Sequence, residues 1–256
     1  MQTVIAIYAS ECIGLELNSI RKDVQHAIRT YTTADLIYFD PSVELVPDNI
    51  PNDCVCGHAN VRGTHSCTRC SNNLEFLSRY EVWYYALTCA YFCQHTGFAV
   101  SINFCEVLQR LAELRPYPSP GASEFYHAIY AATHVVYTLN DYGTYLLPPA
   151  FLSEERAFLR HSVDWAIAQG EADTVGELLD SMIALGIADE DRQVTLARRF
   201  LLDSQLPDGT WGDEEGDSYA YFHTLWAAID GLRDHGWRGE ALFEPTLRQT
   251  LAFLQR

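Results

Sequence analysis

A chain that repeats itself has to bury its apolar faces against its own copies, and this one does so at two spacings. Phe125-Tyr-His-Ala-Ile-Tyr-Ala-Ala-Thr-His134 superimposes on Tyr221-Phe-His-Thr-Leu-Trp-Ala-Ala-Ile-Asp230 at a shift of 96 residues. Glu81-Val-Trp-Tyr-Tyr-Ala86 superimposes on His127-Ala-Ile-Tyr-Ala-Ala132 at a shift of 46. The midpoint of the longer shift falls in the segment from Asp173 to Asp180. The period is therefore roughly 45 to 50 residues, the length of one α-helical hairpin with its corners.

Helical periodicity runs from Leu74 onward and strand signals are almost absent. Segments near Ser78 to Thr96, Ser123 to Asn140, Asp173 to Leu185 and Ser218 to Arg233, aromatic-rich in all but the third, alternate with amphipathic ones. The latter lie near Ser101 to Leu114, Ser153 to Ala168, Asp191 to Ser204 and Pro245 to Gln255. Stacked helix pairs of this kind predict an all-α fold, an incomplete α/α toroid with the aromatic helices as its inner ring; an open solenoid is the alternative. Residues 74–256 form the repeats. Residues 1–39 form an N-terminal helical segment with a helix near Leu15 to Tyr31, and 40–73 an insertion without helical period, all within one compact domain.

Something must hold that insertion, because it is too long for a simple loop. Cys54-x-Cys56 and Cys67-x-x-Cys70 are two thiol pairs on short turns that can converge on one tetrahedral ion, which predicts a structural zinc in a zinc-knuckle-like insertion. His58 and His65 are available substitutes, and two disulfides or free thiols are the alternatives. Cys89, Cys93 and Cys105 lie in apolar helical sequence, where reduced thiols act as small hydrophobes.

The formal charge of −17 opposes binding to nucleic acid or an anionic membrane, both of which need Lys and Arg against phosphate. No apolar run is long enough for a membrane span, and the stretch around Val4 to Tyr8 lacks the basic start of a signal peptide, so a cytoplasmic protein is expected.

The repeat places Glu81, His127 and His223 at equivalent positions near the starts of three inner helices. Two His and a carboxylate can hold a second divalent metal with open positions, or serve as acid and base groups. Asp173 is a further candidate ligand, and His134 lies two turns beyond His127 on the same face. Tyr84, Tyr130, Tyr137, Tyr219, Tyr221 and Trp226 would line the enclosed cavity. Asp189-Glu190-Asp191 reads as a helix cap, and Asp213-Glu-Glu-Gly-Asp217 as a solvated corner.

Ala197, Phe200, Leu201, Gln205, Gly209 and Trp211 resemble, in order and spacing, the Gln-Trp motif of squalene-hopene and oxidosqualene cyclases. In that family the motif ties successive helix pairs of an α/α toroid together. Asp217-Ser-Tyr-Ala-Tyr-Phe-His-Thr-Leu-Trp-Ala-Ala-Ile-Asp-Gly-Leu232 is similar to the final inner helix of protein prenyltransferase β subunits. The resemblance implies that His223 is a metal ligand and Asp173 its partner. Val175 stands where that family has its Cys ligand, and the basic residues that would hold a diphosphate are not apparent.

Together these features imply an enzyme acting on a small, largely apolar or aromatic, isoprenoid-like molecule by cyclisation, isomerisation, elimination or oxidation in a Tyr- and His-lined cavity. The alternative is a non-catalytic α/α-repeat binding or scaffold protein with a structural zinc.

Overall fold

A computed structural model of the chain describes residues 2–51, 54–58, 60, 64–148, 150–212, 218–243 and 245–254. They are mainly helical and divide into two compact units, Met1–Pro116 and Tyr117–Arg256. No helix among the described residues is long and apolar enough to cross a membrane.

In the first unit, helices α1 (Gln2–Cys12), α2 (Asn18–Ile28) and α3 (Thr33–Ile37) precede strands β1 (Asn49–Pro51) and β2 (Phe76–Ser78). Helices α4 (Arg79–Thr96) and α5 (Phe104–Gln109) follow, with a 3-10 turn over Arg110–Glu113. Helix α4 starts where it does because Ser78 accepts from the Glu81 N–H while the Glu81 carboxylate accepts from the Ser78 N–H, a reciprocal cap on the first turn. It ends at Gly97, which adopts a left-handed conformation. Between these caps nearly every face is buried, against α1, α3 and α5. Trp83 is wholly buried and its indole donates to the Val107 carbonyl, so the polar edge of the ring is satisfied inside the core. The expected structureless insertion contains β1, which pairs antiparallel with β2 in register Asn49↔Ser78 and Ile50↔Leu77. The cysteines lie between those two strands.

In the second unit, α6 (Phe125–Leu139), α8 (Ala172–Ala184) and α10 (Ser218–Leu232) begin at residues 125, 172 and 218, spacings of 47 and 46 residues that match the repeat. Helices α7 (Ser153–Gln169) and α9 (Arg192–Ser204) fall between them, and α11 (Pro245–Leu254) follows. Helix α8 touches α6, α7, α9 and α10, and α7 also touches α9. Sequence explains this central place: α8 is buried almost continuously from Thr174 to Ala184, the pattern of a helix without a solvent face.

Gln205 and Trp211 both act on the corner after α9. Trp211 is buried and its indole donates to the Leu201 carbonyl, one of the acceptors left open at a helix end. The Gln205 amide donates to the Gly209 carbonyl across a turn in which Asp208 accepts from Thr210. These bonds close the corner on itself. Asp191, from the acidic run read as a cap, does cap α9 through the Gln193 N–H.

Helices α8 and α10 meet backbone to backbone. A Cβ added at Gly176 would lie 2.4 Å from the Ala227 carbonyl oxygen, and one at Gly231 would lie 2.8 Å from the Gly176 oxygen. Gly176→Ala, which on an exposed helix would stabilise by up to about 1 kcal/mol, should here destabilise by about 1–3 kcal/mol through overpacking. Urea denaturation should show a lower midpoint at unchanged slope; a raised midpoint would contradict this contact.

Candidate active site on helices α6, α8 and α10

Helix α8 carries Asp173, Glu177 and Asp180 at spacings of four and three, so all three carboxylates share one face. Because α10 approaches so closely at Gly176, His223 lands against the first two. Its Nδ1 donates to Asp173 Oδ1 at 2.8 Å, and its Nε2 lies 3.7 Å from Glu177 Oε1. One ligand atom from each of Asp173, Glu177 and His223 lies within 4.8 Å of the other two.

Helix α6 supplies the hydrogen bonds that hold the carboxylates in place. Tyr130 donates to Asp173 Oδ2, and Thr133 donates to Glu177 Oε2 at 2.8 Å. His134 Nδ1 donates to the Tyr130 carbonyl at 2.7 Å, which leaves Nε2 as the acceptor in the neutral ring. The Tyr137 hydroxyl reaches the Glu177 carbonyl at 3.4 Å.

The electrostatics follow from burial. Glu177 is 4% exposed, and desolvation together with the Asp173 carboxylate pushes its carboxyl up to about 8. The hydrogen bond that His223 donates to Asp173 favours its imidazolium, raising that group despite its burial. His134 goes the other way, down to about 4, because desolvation outweighs its carbonyl partner. Burial and the two carboxylates raise the Tyr130 phenol.

The three acids of α8 are not treated alike. Asp180 accepts from His235 at 2.6 Å and lies 3.8 Å from Arg233. Among the described residues no Lys or Arg pairs with Asp173 or Glu177, which share the single imidazole of His223. One buried and one half-buried carboxylate around a single imidazole form a place where a divalent cation would be favoured.

Asp173 and His223 thus meet, as the sequence led us to expect, and His134, Tyr130 and Tyr137 lie beside them. The Tyr219 and Trp226 rings flank His223 at 5.6 and 6.3 Å between centroids, and both are largely exposed. The expected metal trio is different from the observed one. Glu81 belongs to the first unit, where its carboxylate caps α4, and Tyr84 is half-buried on the same helix. His127 stands next to the Tyr126 ring at 5.7 Å and is not one of the three clustered residues. Tyr221 is half-buried on α10. The repeat aligns α6 with α10, but α10 packs on α8, so the carboxylates facing His223 come from α8. Glu177 was missed, although an acid one turn after Asp173 in a largely buried helix was a readable signal. The Asp213 to Asp217 run lies outside the described residues.

In the first unit the four expected thiols do converge. Cys54 and Cys70 sulfurs are 3.4 Å apart and those of Cys56 and Cys67 are 3.7 Å apart, all four lying within 4.8 Å of one another and none in a disulfide. Four sulfurs at about 2.3 Å from a tetrahedral zinc would stand about 3.8 Å apart. The Arg69 N–H donates to Cys67 Sγ, and Ser71, at φ +65°, turns the chain after the second pair. His58 bonds Thr68 and His65 packs on Phe76, so the cluster consists of thiols alone.

Residues 68–224 match the profile of the domain of unknown function DUF6895, a span that starts just after Cys67 and runs through Asp173 and Glu177 to one residue past His223. No curated protein and no solved structure matches the chain. With more than half its length on that profile, the chain belongs to the DUF6895 family.

Proposed function

We propose that the second unit is a metal-dependent enzyme of α/α-repeat architecture, with a divalent cation held by Asp173, Glu177 and His223 and a small, largely apolar or aromatic substrate at the Tyr219 and Trp226 rings. The observation that carries this reading is the pairing of one buried and one half-buried carboxylate with one imidazole, and with no Lys or Arg among the described residues. When bound, the cation supplies Lewis acidity and charge neutralisation.

The chain's own residues would do the rest. Asp173 fixes the His223 tautomer and ring orientation through Nδ1, which leaves Nε2 for ligation. Tyr130 and Thr133 aim the carboxylates. His134, kept neutral by burial, is a base within the same cluster. The aromatic faces suit cyclisation, isomerisation or elimination on an apolar skeleton, and the α6, α8 and α10 packing supports an arc of paired helices as the frame. The cysteine quartet is a closed structural zinc site that holds the segment between β1 and β2. A non-catalytic docking protein is a second reading, favoured by the exposed Tyr219, Phe222, Trp226 and Ile229 along one side of α10.

Elemental analysis by native mass spectrometry should find two ions per chain. Cys54→Ser with Cys70→Ser should lose one, and His223→Ala or Glu177→Gln the other; a single ion lost only with the cysteines would overturn the metalloenzyme reading.

The cluster also makes stability depend on pH. An unfolded Glu titrates near pH 4.3, whereas folded Glu177 titrates at about 8, so the folded protein binds the extra proton between those values. After chelation of the second ion, stability should be greatest at the acid end of this window and fall as pH rises through it; the raised His223 acts in the same direction. Urea midpoints across the window should show this slope, Glu177→Gln should flatten it, and saturating metal should reverse it because ligation requires the deprotonated groups.

A further inference from the structure

Arg21, Lys22, Gln25 and His26 on helix α2, with Arg29 at its C-terminal cap, follow at spacings of three and four along one stripe. With Phe98 from the turn that ends α4, these side chains line a cavity of about 500 Å³ in the first unit. Lys22 is the only lysine in 256 residues, and the chain has twice as many acids as bases. A cavity that gathers three cations in such a chain is a local departure from its overall charge.

The cations are arranged to different ends. Arg21 is a fixed part of the wall: it pairs with Glu11 at 2.7 Å, donates to the Thr96 carbonyl, and lies over the Phe98 ring at 5.0 Å. Lys22, His26 and Arg29 have no ion-pair partner among the described residues, and no carboxylate lines the cavity. Asp23, the one acid of α2, is not among the lining residues. Gln25 accepts from the Ala99 N–H through Oε1, while its buried Nε2 has no hydrogen-bond partner. An unmet amide donor of that kind costs stability unless a ligand accepts from it.

Arg21, Lys22 and Arg29 against Glu11 leave two positive charges at the cavity. A phosphate monoester carries about −1.5 to −2 at neutral pH, and a volume of this size falls in the range that holds an organic molecule. We propose that this cavity binds a small soluble phosphorylated organic molecule, with Lys22 and Arg29 on the phosphate, the Gln25 amide as a further donor, and the Arg21–Phe98 platform against the organic body. Arg29 can take two phosphate oxygens through its fork, whereas Lys22 acts as a point charge.

The single lysine makes the test direct. Lys22 acylation by an amine-reactive ester is followed by peptide mass spectrometry, with the α-amino group as internal reference. Glucose 6-phosphate, adenosine 5′-monophosphate and phenyl phosphate are compared with inorganic phosphate, with sodium chloride at matched ionic strength, and with phosphatidic acid vesicles. At least one ester should slow Lys22 acylation by about fivefold or more and leave the reference unchanged, as expected for a charge-assisted contact. Arg29→Gln should restore the rate and weaken calorimetric binding of that ester about tenfold, with circular dichroism unchanged. Equal protection by sodium chloride or by inorganic phosphate, protection only by the vesicles, or no protection by any ester would overturn the proposal.

Discussion

The contact between Gly176 and Ala227 sets the distance on which the candidate site depends. Ordinary helix pairs keep their axes about 8–10 Å apart because side chains stand between them. Here neither partner offers more than a methyl group, and the Gly176 backbone lies directly on the Ala227 carbonyl. Glu177 follows Gly176 in sequence and Asp173 lies one turn before it, while His223 lies one turn before Ala227. The same approach that packs the backbones therefore brings the imidazole within hydrogen-bond reach of Asp173 and within 3.7 Å of Glu177. A glycine inside a helix costs about 1 kcal/mol relative to alanine, which is small beside the loss of that geometry.

Burying the pair is unfavourable in itself, and the surrounding structure offsets it in a specific way. Tyr130 and Thr133 each give one hydrogen bond to a carboxylate oxygen, and His223 bridges the two acids. All of these donors sit on α6 and α10, the neighbours of α8 that begin one repeat before and after it. Asp180, farther along the same face, has His235 and Arg233 and so is already neutralised by the protein. The contrast on a single helix separates an acid that faces two basic side chains from two that share one imidazole.

Much of this was legible in the residues. Caps and breakers placed the helices well: α7, α9 and α10 begin within a residue of where the periodicity starts, and the reading of Asp191 as a cap holds. The four thiols announced their own convergence, because a long segment without period needs an anchor. Other features were hidden for physical reasons. Strands β1 and β2 are three residues each, too short for an alternation to show. Helix α8 is apolar on nearly every side, so Glu177 reads as an interruption in a core helix until the neighbour that meets it is known. Equivalent repeat positions share a place along their helices, but a ligand set also needs contact between those helices. The repeat could not reveal that contact, and Glu81 was assigned to a site on that ground alone, whereas its carboxylate serves the first turn of α4.

Net charge has a similar limit. A formal charge of −17 governs what a protein attracts from a distance, and it counts against polyanions such as nucleic acid. At physiological salt, however, exposed charges are screened within about 8 Å, so the field inside a recess is set by the few groups that line it. The stripe on α2 is cationic although the chain is acidic, and among the described residues Asp173 and Glu177 on α8 have no Lys or Arg paired with them. The chemistry of each unit is thus decided over a few ångströms, by which side chains one helix presents and what its neighbour gives in return.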